Sequence, residues 1–193
     1  MAFLKLLLAF LPWLAFLAIA HGSLFRLKLG LAVALLLSVA MGIGKLHRGV
    51  ILWVGLSFFV FATLAVVAFN DMWTVQHMGI LANGTLAAST WLTVVFRRPF
   101  TLDYAREHVD PSLWNEPSFI RTNMVITSVW AAVFTVNAVL AWGKMEHLLL
   151  SDLAYEVLSY ALLVATAAFT VWYPKQVRRR RELNAASEEN VAK

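Results

Sequence analysis

Residues 50–69 read VILWVGLSFFVFATLAVVAF, with no charged side chain among them. A bilayer's hydrocarbon core is about 30 Å thick and an α-helix rises about 1.5 Å per residue, so about 20 apolar residues make one crossing. This stretch has that length. The same ruler gives five more candidate spans, at residues 2–20, 24–44, 72–96, 122–142 and 148–173. Hydrocarbon offers the backbone no water, and the spans lack the alternation of a membrane barrel. The expected fold is therefore all-α, a polytopic transmembrane bundle of six spans. The second span is the weakest, because Arg26 and Lys28 lie in its first turns and must carry their charged ends outward on flexible stems. Five full spans preceded by a shallow or re-entrant first segment is the alternative.

Composition agrees. Of 193 residues, 61% are hydrophobic and 14% charged, and the mean hydropathy is +0.72. A soluble domain has about 45–50% apolar and about 25% charged residues, so this chain has too little polar side chain to cover a water-facing surface. A soluble enzyme, a disordered regulator and a nucleic-acid-binding domain are excluded. The net charge of +5 comes from short basic clusters between apolar runs, a pattern that marks cytoplasmic membrane edges. Without cysteine, disulfides, iron–sulfur clusters and thiolate metal sites are excluded as well.

Lys5, an apolar run and Ala18-Ile19-Ala20 also read as a signal peptide, but the run exceeds the usual core of about 7–15 residues and holds Pro12 and Trp13. If the Arg178-Arg179-Arg180-Arg181 tail is cytoplasmic, six spans put the N-terminus there too. Lys5, Lys45, Arg48, Arg97, Arg98, Arg106, Arg121, Lys175, the four tail arginines and Lys193 then lie inside, against Arg26, Lys28 and Lys144 outside. Thirteen against three is a strong positive-inside bias. Both termini are then expected on the cytoplasmic side of the bilayer.

One long connection, 97–121, separates the fourth and fifth spans within a membrane domain of residues 1–174. Thr101 is placed to cap a short helix through His108, with Pro111 and Pro117 stopping any longer one. Its Phe100, Leu102, Tyr104, Leu113, Trp114 and Phe119 alternate with charges, which suits a segment in the cytoplasmic headgroup layer. A solvated linker is the alternative. Residues 175–193 read as a basic, disordered tail whose Arg178, Arg179, Arg180 and Arg181 contact anionic headgroups. Trp53, Trp73, Trp142, Trp172 and Tyr173 fall near span ends, where amphipathic rings anchor helices.

Ionisable or strongly polar groups inside hydrocarbon are costly and mark candidate sites. Asp152 and Glu156 share one face of the sixth span, expected about 6 and 12 Å from its outer end, with no second intramembrane charge at comparable depth. They read either as a cation or proton entrance or, for Asp152, as a helix cap. On the fourth span Gln76, Asn83 and Thr90 recur every seven residues with Gly79 beside them, and Asn123, Thr127, Ala131 and Thr135 form a matching stripe on the fifth. Two such faces pack closely and hydrogen-bond across the interface. His77 is the one histidine expected well inside a span; His47 and His147 fall at opposite loops, so a haem with two axial ligands at one depth is disfavoured. No H-E-x-x-H, G-x-x-x-x-G-K-[ST] or G-x-S-x-G motif occurs. No cofactor or metal is expected.

A polar fourth span ending in Trp91, then Arg97-Arg98-Pro99-Phe100, a loop with Trp114, and a fifth span with Trp130-Ala131-Ala132-Val133-Phe134 and Asn137 resembles the intracellular septation protein A family. Phe10-Leu11-Pro12 and the basic residues 45–48 fit the same pattern. The family's asparagine one turn before the fifth-span tryptophan is unmatched, since Thr127 and Asn123 stand there, and the arginine tail is more basic. The resemblance implies a small bacterial inner-membrane protein linked to envelope synthesis and division through partner proteins, with no catalytic centre. It assigns no functional residue. The expected partners are the bilayer, anionic headgroups at the cytoplasmic face, and other membrane proteins or further copies of the chain, but not nucleic acid. A small ion- or proton-coupled transporter or channel using Asp152, Glu156 and the fourth-span face is the alternative, and an accessory subunit of a respiratory or photosynthetic complex the third.

Overall fold

A computed structural model describes residues 8–44 and 49–191. Lys5, Lys45, His47, Arg48 and Lys193, all used above, lie outside the described residues. The helices are α1 (Leu11–Ile19), α2 (Leu24–Ile43), α3 (Val50–Thr63, continued as a π-helical turn, Leu64–Ala68), α4 (Met72–Gln76), α5 (Met78–Val95), α6 (Leu102–Ala105), α7 (Pro117–Met145) and α8 (Asp152–Val191). No strand occurs among the described residues. Among the described residues five helices are long and apolar enough to cross a membrane: Leu24–Ile43, Val50–Ala68, Met78–Val95, Pro117–Met145 and Asp152–Asn184.

The boundaries follow local chemistry. Ser23 accepts the Arg26 amide at 3.2 Å and opens α2, after a turn in which Gly22 takes a φ of 78° that side chains resist. Asp71 accepts the Trp73 and Thr74 amides and opens α4. Pro117 sits in the first turn of α7, where its missing N–H costs nothing, so it starts the fourth of the five crossing helices as well as ending the loop.

The structure differs from the sequence reading at three places among the described residues. In the first candidate span α1 is a nine-residue helix with Pro12 in its first turn, about 14 Å long by its rise, so six full-length spans are not found among the described residues. The fourth span is broken at His77, and the crossing helix begins at Met78. Beyond the sixth candidate span α8 continues past Pro174 to Val191, with an Arg178–Glu182 pair one turn apart at 2.9 Å.

The core is a sequence of close helix contacts. α5 and α7 form the most extensive pair, and a Cβ added to Gly79 would stand 3.1 Å from the Ala141 methyl, so glycine sets their approach. α1 lies along α2, with Gly30 against Ala20. Phe10, Phe100, Trp130 and Phe134 form a buried aromatic junction. Trp53, Trp73 and Trp142 are exposed near helix ends, whereas Trp172 is exposed midway along α8 and Tyr173 is partly buried against the core.

Candidate functional site

The α7–α8 turn brings together a pair that the sequence reading kept apart. Lys144, in the last turn of α7, holds Glu156 of α8 with Nζ and Oε1 2.5 Å apart. The two side chains are 36% and 40% exposed. Glu156 therefore does have a charge partner at its own depth, contrary to expectation, and stands only about 6 Å inside the start of α8, which begins at Asp152. Asp152 is exposed, in the first turn of the helix, with its carboxylate 4.0 Å from His147 Nδ1. The two carboxylates do not act as one unit.

Beyond the ion pair lies a cavity of about 330 Å³ between α1, α5, α7 and α8. Its inner end is aromatic, from Phe10, Trp13, Trp130 and Phe134; its outer end holds Asn83, Tyr160, Lys144 and Glu156. Between them sits Asn137, 2% exposed, whose Oδ1 has no hydrogen-bond partner. Asn83 spends an amide N–H on its own helix, Nδ2 to the Gly79 carbonyl at 2.9 Å.

Of the predicted polar site, then, Asn83 and Glu156 reach the cavity, while Asp152, Gln76 and His77 do not. Gln76 is exposed beside the helix break, and His77 stacks on Trp73 at 4.2 Å with its Nδ1 2.8 Å from the Trp73 carbonyl. Sequence reasoning missed Lys144, Tyr160 and the role of Asn137. A signal existed, since Asn123, Trp130, Asn137 and Lys144 recur every seven residues along one face of α7.

α5 and α7 pack closely, but Gln76 lies on α4, outside that pair, and the other stripe residues bond mainly within their own helices. Thr90 donates to the Leu86 carbonyl, Asn123 Nδ2 to Phe119 and Thr135 to Ala131. Trp91 Nε1 donates to Thr135 Oγ1 at 3.1 Å, joining α5 to α7. Thr101 caps no helix with its side chain; its hydroxyl meets Thr127 Oγ1 at 3.0 Å and donates to the Asn123 carbonyl. The 97–116 loop is thus tied into the bundle.

That loop departs from the headgroup-layer reading. Phe100, Leu102 and Tyr104 are buried in protein, not laid on lipid. Trp114 donates to the Arg106 and Val109 carbonyls and lies under the Arg106 guanidinium, 5.6 Å from its ring centre. Arg97, Arg98 and Arg106 line a second, polar pocket with Asp103. Burial pushes the Asp103 carboxyl above its ordinary value, against the Val50 amide and Arg106, which pull it down. Ser118 and Arg181 hold Glu116 below the usual glutamate range, and the Arg181 contact is 2.7 Å. Two tail arginines, 178 and 181, are therefore engaged with acids, leaving Arg179 and Arg180 exposed beside them. No protein-family model, curated protein or solved structure matches this chain.

Proposed function

We propose that the chain is a non-enzymatic protein of a bacterial inner membrane, similar to the septation protein A family, that serves cell-envelope synthesis or division through partner proteins. One observation carries this reading: separate stretches on which the resemblance rests meet in one aromatic junction. Phe10, of Phe10-Leu11-Pro12, stacks on Trp130 at 5.5 Å and stands 6.1 Å from Phe100 of Arg97-Arg98-Pro99-Phe100. Trp130 lies 5.4 Å from Phe134. The junction contains no charge or nucleophile, so it shapes the bundle without doing chemistry.

Orientation is part of the proposal. The Glu116–Arg181 pair holds the 97–116 loop and the arginine helix at one end of the bundle, and the charge bias assigns that end to the cytoplasm. Phe10 stands against Phe100 near that end, whereas His21 bonds Tyr160 at 3.0 Å toward the other. α1 then runs from inside to outside as a short crossing embedded in the bundle, and both termini are cytoplasmic. Anionic headgroups meet Arg179 and Arg180. Partners sit on α8, because only 11% of its spanning window is buried, against 33–39% in the other four crossing helices.

The test is deletion and complementation in the source bacterium. Loss of the protein should disturb division or envelope integrity. The parent chain and Glu156→Gln should both restore it, and Trp130→Ala should not. A normal envelope without the protein, or ion flux through the purified chain in proteoliposomes, contradicts the proposal.

A further inference from the structure

We infer that the cavity between α1, α5, α7 and α8 binds a single-tailed membrane amphiphile carrying a hydroxyl or amide N–H beside its apolar tail. This goes beyond the envelope role and does not depend on it. The volume, about 330 Å³, falls in the usual range of ligand pockets, about 300–1,000 Å³, and the lining has their usual make-up of apolar walls with a few polar groups.

The polar group that asks for a ligand is Asn137. Among the described residues, four buried side-chain atoms have no hydrogen-bond partner, and two of those residues, Trp13 and Asn137, line the cavity. Trp13 Nε1 is turned toward Gly55, where an added Cβ would stand 2.9 Å away. Asn137 Oδ1 is thus the unpartnered acceptor on a residue that lines the cavity. A buried water ordinarily makes about three hydrogen bonds, and apolar walls around Asn137 offer it too few. A donor on a ligand satisfies the amide while its tail fills the aromatic end.

Access is lateral. α1 packs on α2 and α8 on α7, and a His21–Tyr160 hydrogen bond closes the outer end of the gap between α1 and α8. Leu14 and Val164, both exposed, flank the cavity on that side, so a tail enters from the hydrocarbon. Lys144 stands about 10 Å farther along α7 than Asn137 and, with its partner Glu156, offers both charge signs to a polar head.

The test uses the full chain in phosphatidylcholine nanodiscs, whose lipid carries no hydroxyl or N–H donor. Two photoactivatable sixteen-carbon probes are compared: a monoacylglycerol with a diazirine in its chain, and the matching methyl ester, which has no donor. Cross-links are mapped by mass spectrometry. The monoacylglycerol should label residues 10–17 and 163–167 about fivefold more than the ester, the difference one hydrogen bond makes. Asn137→Leu should abolish that preference while leaving the protein at least as heat-stable. Ala167→Phe, or Leu17→Trp if that variant does not fold, should cut labelling by both probes. Equal labelling of the parent by both probes overturns the inference, as does undiminished labelling of a folded, cavity-filled variant.

Discussion

Asn137 and Thr127 are both buried polar residues on α7, at 2% and 0% exposure, yet their removal should move stability in opposite directions. Asn137 Oδ1 has no partner, and an unsatisfied buried acceptor costs about 1–3 kcal/mol. Leucine at that position removes the acceptor, and the adjoining 330 Å³ of space takes its extra methyl volume without overpacking. Asn137→Leu should therefore stabilise the ligand-free protein by about 1 kcal/mol. At a chain length near 200 residues that is about 2–4 °C. Thr127 Oγ1 meets the Thr101 hydroxyl at 3.0 Å, and bonds of this kind between membrane segments average about 0.6 kcal/mol, with about 1.7 as the upper end. Thr127→Val keeps the shape and should cost about that much. Reversible unfolding in mixed micelles with rising dodecyl sulfate, followed by circular dichroism, measures both variants on one scale. Destabilisation by Asn137→Leu of about 1 kcal/mol or more would mean that the amide is bonded in the free protein, and the reasoning would fall.

Further outcomes follow from the same contacts. Phe10→Ala removes about 100 Å³ from the aromatic junction, and at about 24 cal/mol per Å³ it should cost about 2–3 kcal/mol, with protease cleavage between α1 and α2 appearing first. A double-mutant cycle with Lys144→Met and Glu156→Gln should give a coupling of about 1 kcal/mol or less, because both side chains are more than a third exposed; neither single variant should create or abolish ion flux. Arg179→Gln with Arg180→Gln should weaken binding to anionic vesicles by about 1 kcal/mol per residue, and Arg178→Gln with Arg181→Gln by less, since those two are already paired with acids. The depressed Glu116 carboxyl contributes its tie to Arg181 above the ordinary glutamate pKa and loses it as pH falls through the lower folded value. A spin-label distance between residues 113 and 183 should therefore hold through the ordinary glutamate range and lengthen only below it.

Sequence reasoning reached the helical membrane class and the course of α2, α3 and α7, because runs such as residues 50–69 are long, apolar and bounded by Gly49, Ser23 or Pro117. It misjudged places where tertiary contacts override composition. The aromatic loop residues Phe100 and Tyr104 alternate with charges as a surface helix would, but they fill the core because Phe10 approaches from α1. His77 falls within an apolar window, yet Asp71 starts a five-residue helix that ends beside it, which hydropathy does not register. Glu156 is expected about 12 Å from the outer end of its span, but it stands only about 6 Å inside the start of α8 and is 40% exposed. Its partner Lys144 was assigned to a loop because span-counting ended the helix at Trp142, three residues before α7 ends at Met145. Asn137 could be located on a face by its spacing from Trp130, but nothing in a sequence tells a satisfied amide from an unsatisfied one.

The proposal that this is an envelope protein acting through partners is tested most directly by its neighbours in native membranes. A photo-crosslinking amino acid placed at Val157 or Val164, both exposed on α8, reports what lies against the least covered helix. Proteins of envelope synthesis or division should be the cross-linked partners, and they should be absent when the same residue is placed at buried Ala131. Cross-links confined to subunits of a respiratory or photosynthetic complex, or to lipid alone, would contradict the account.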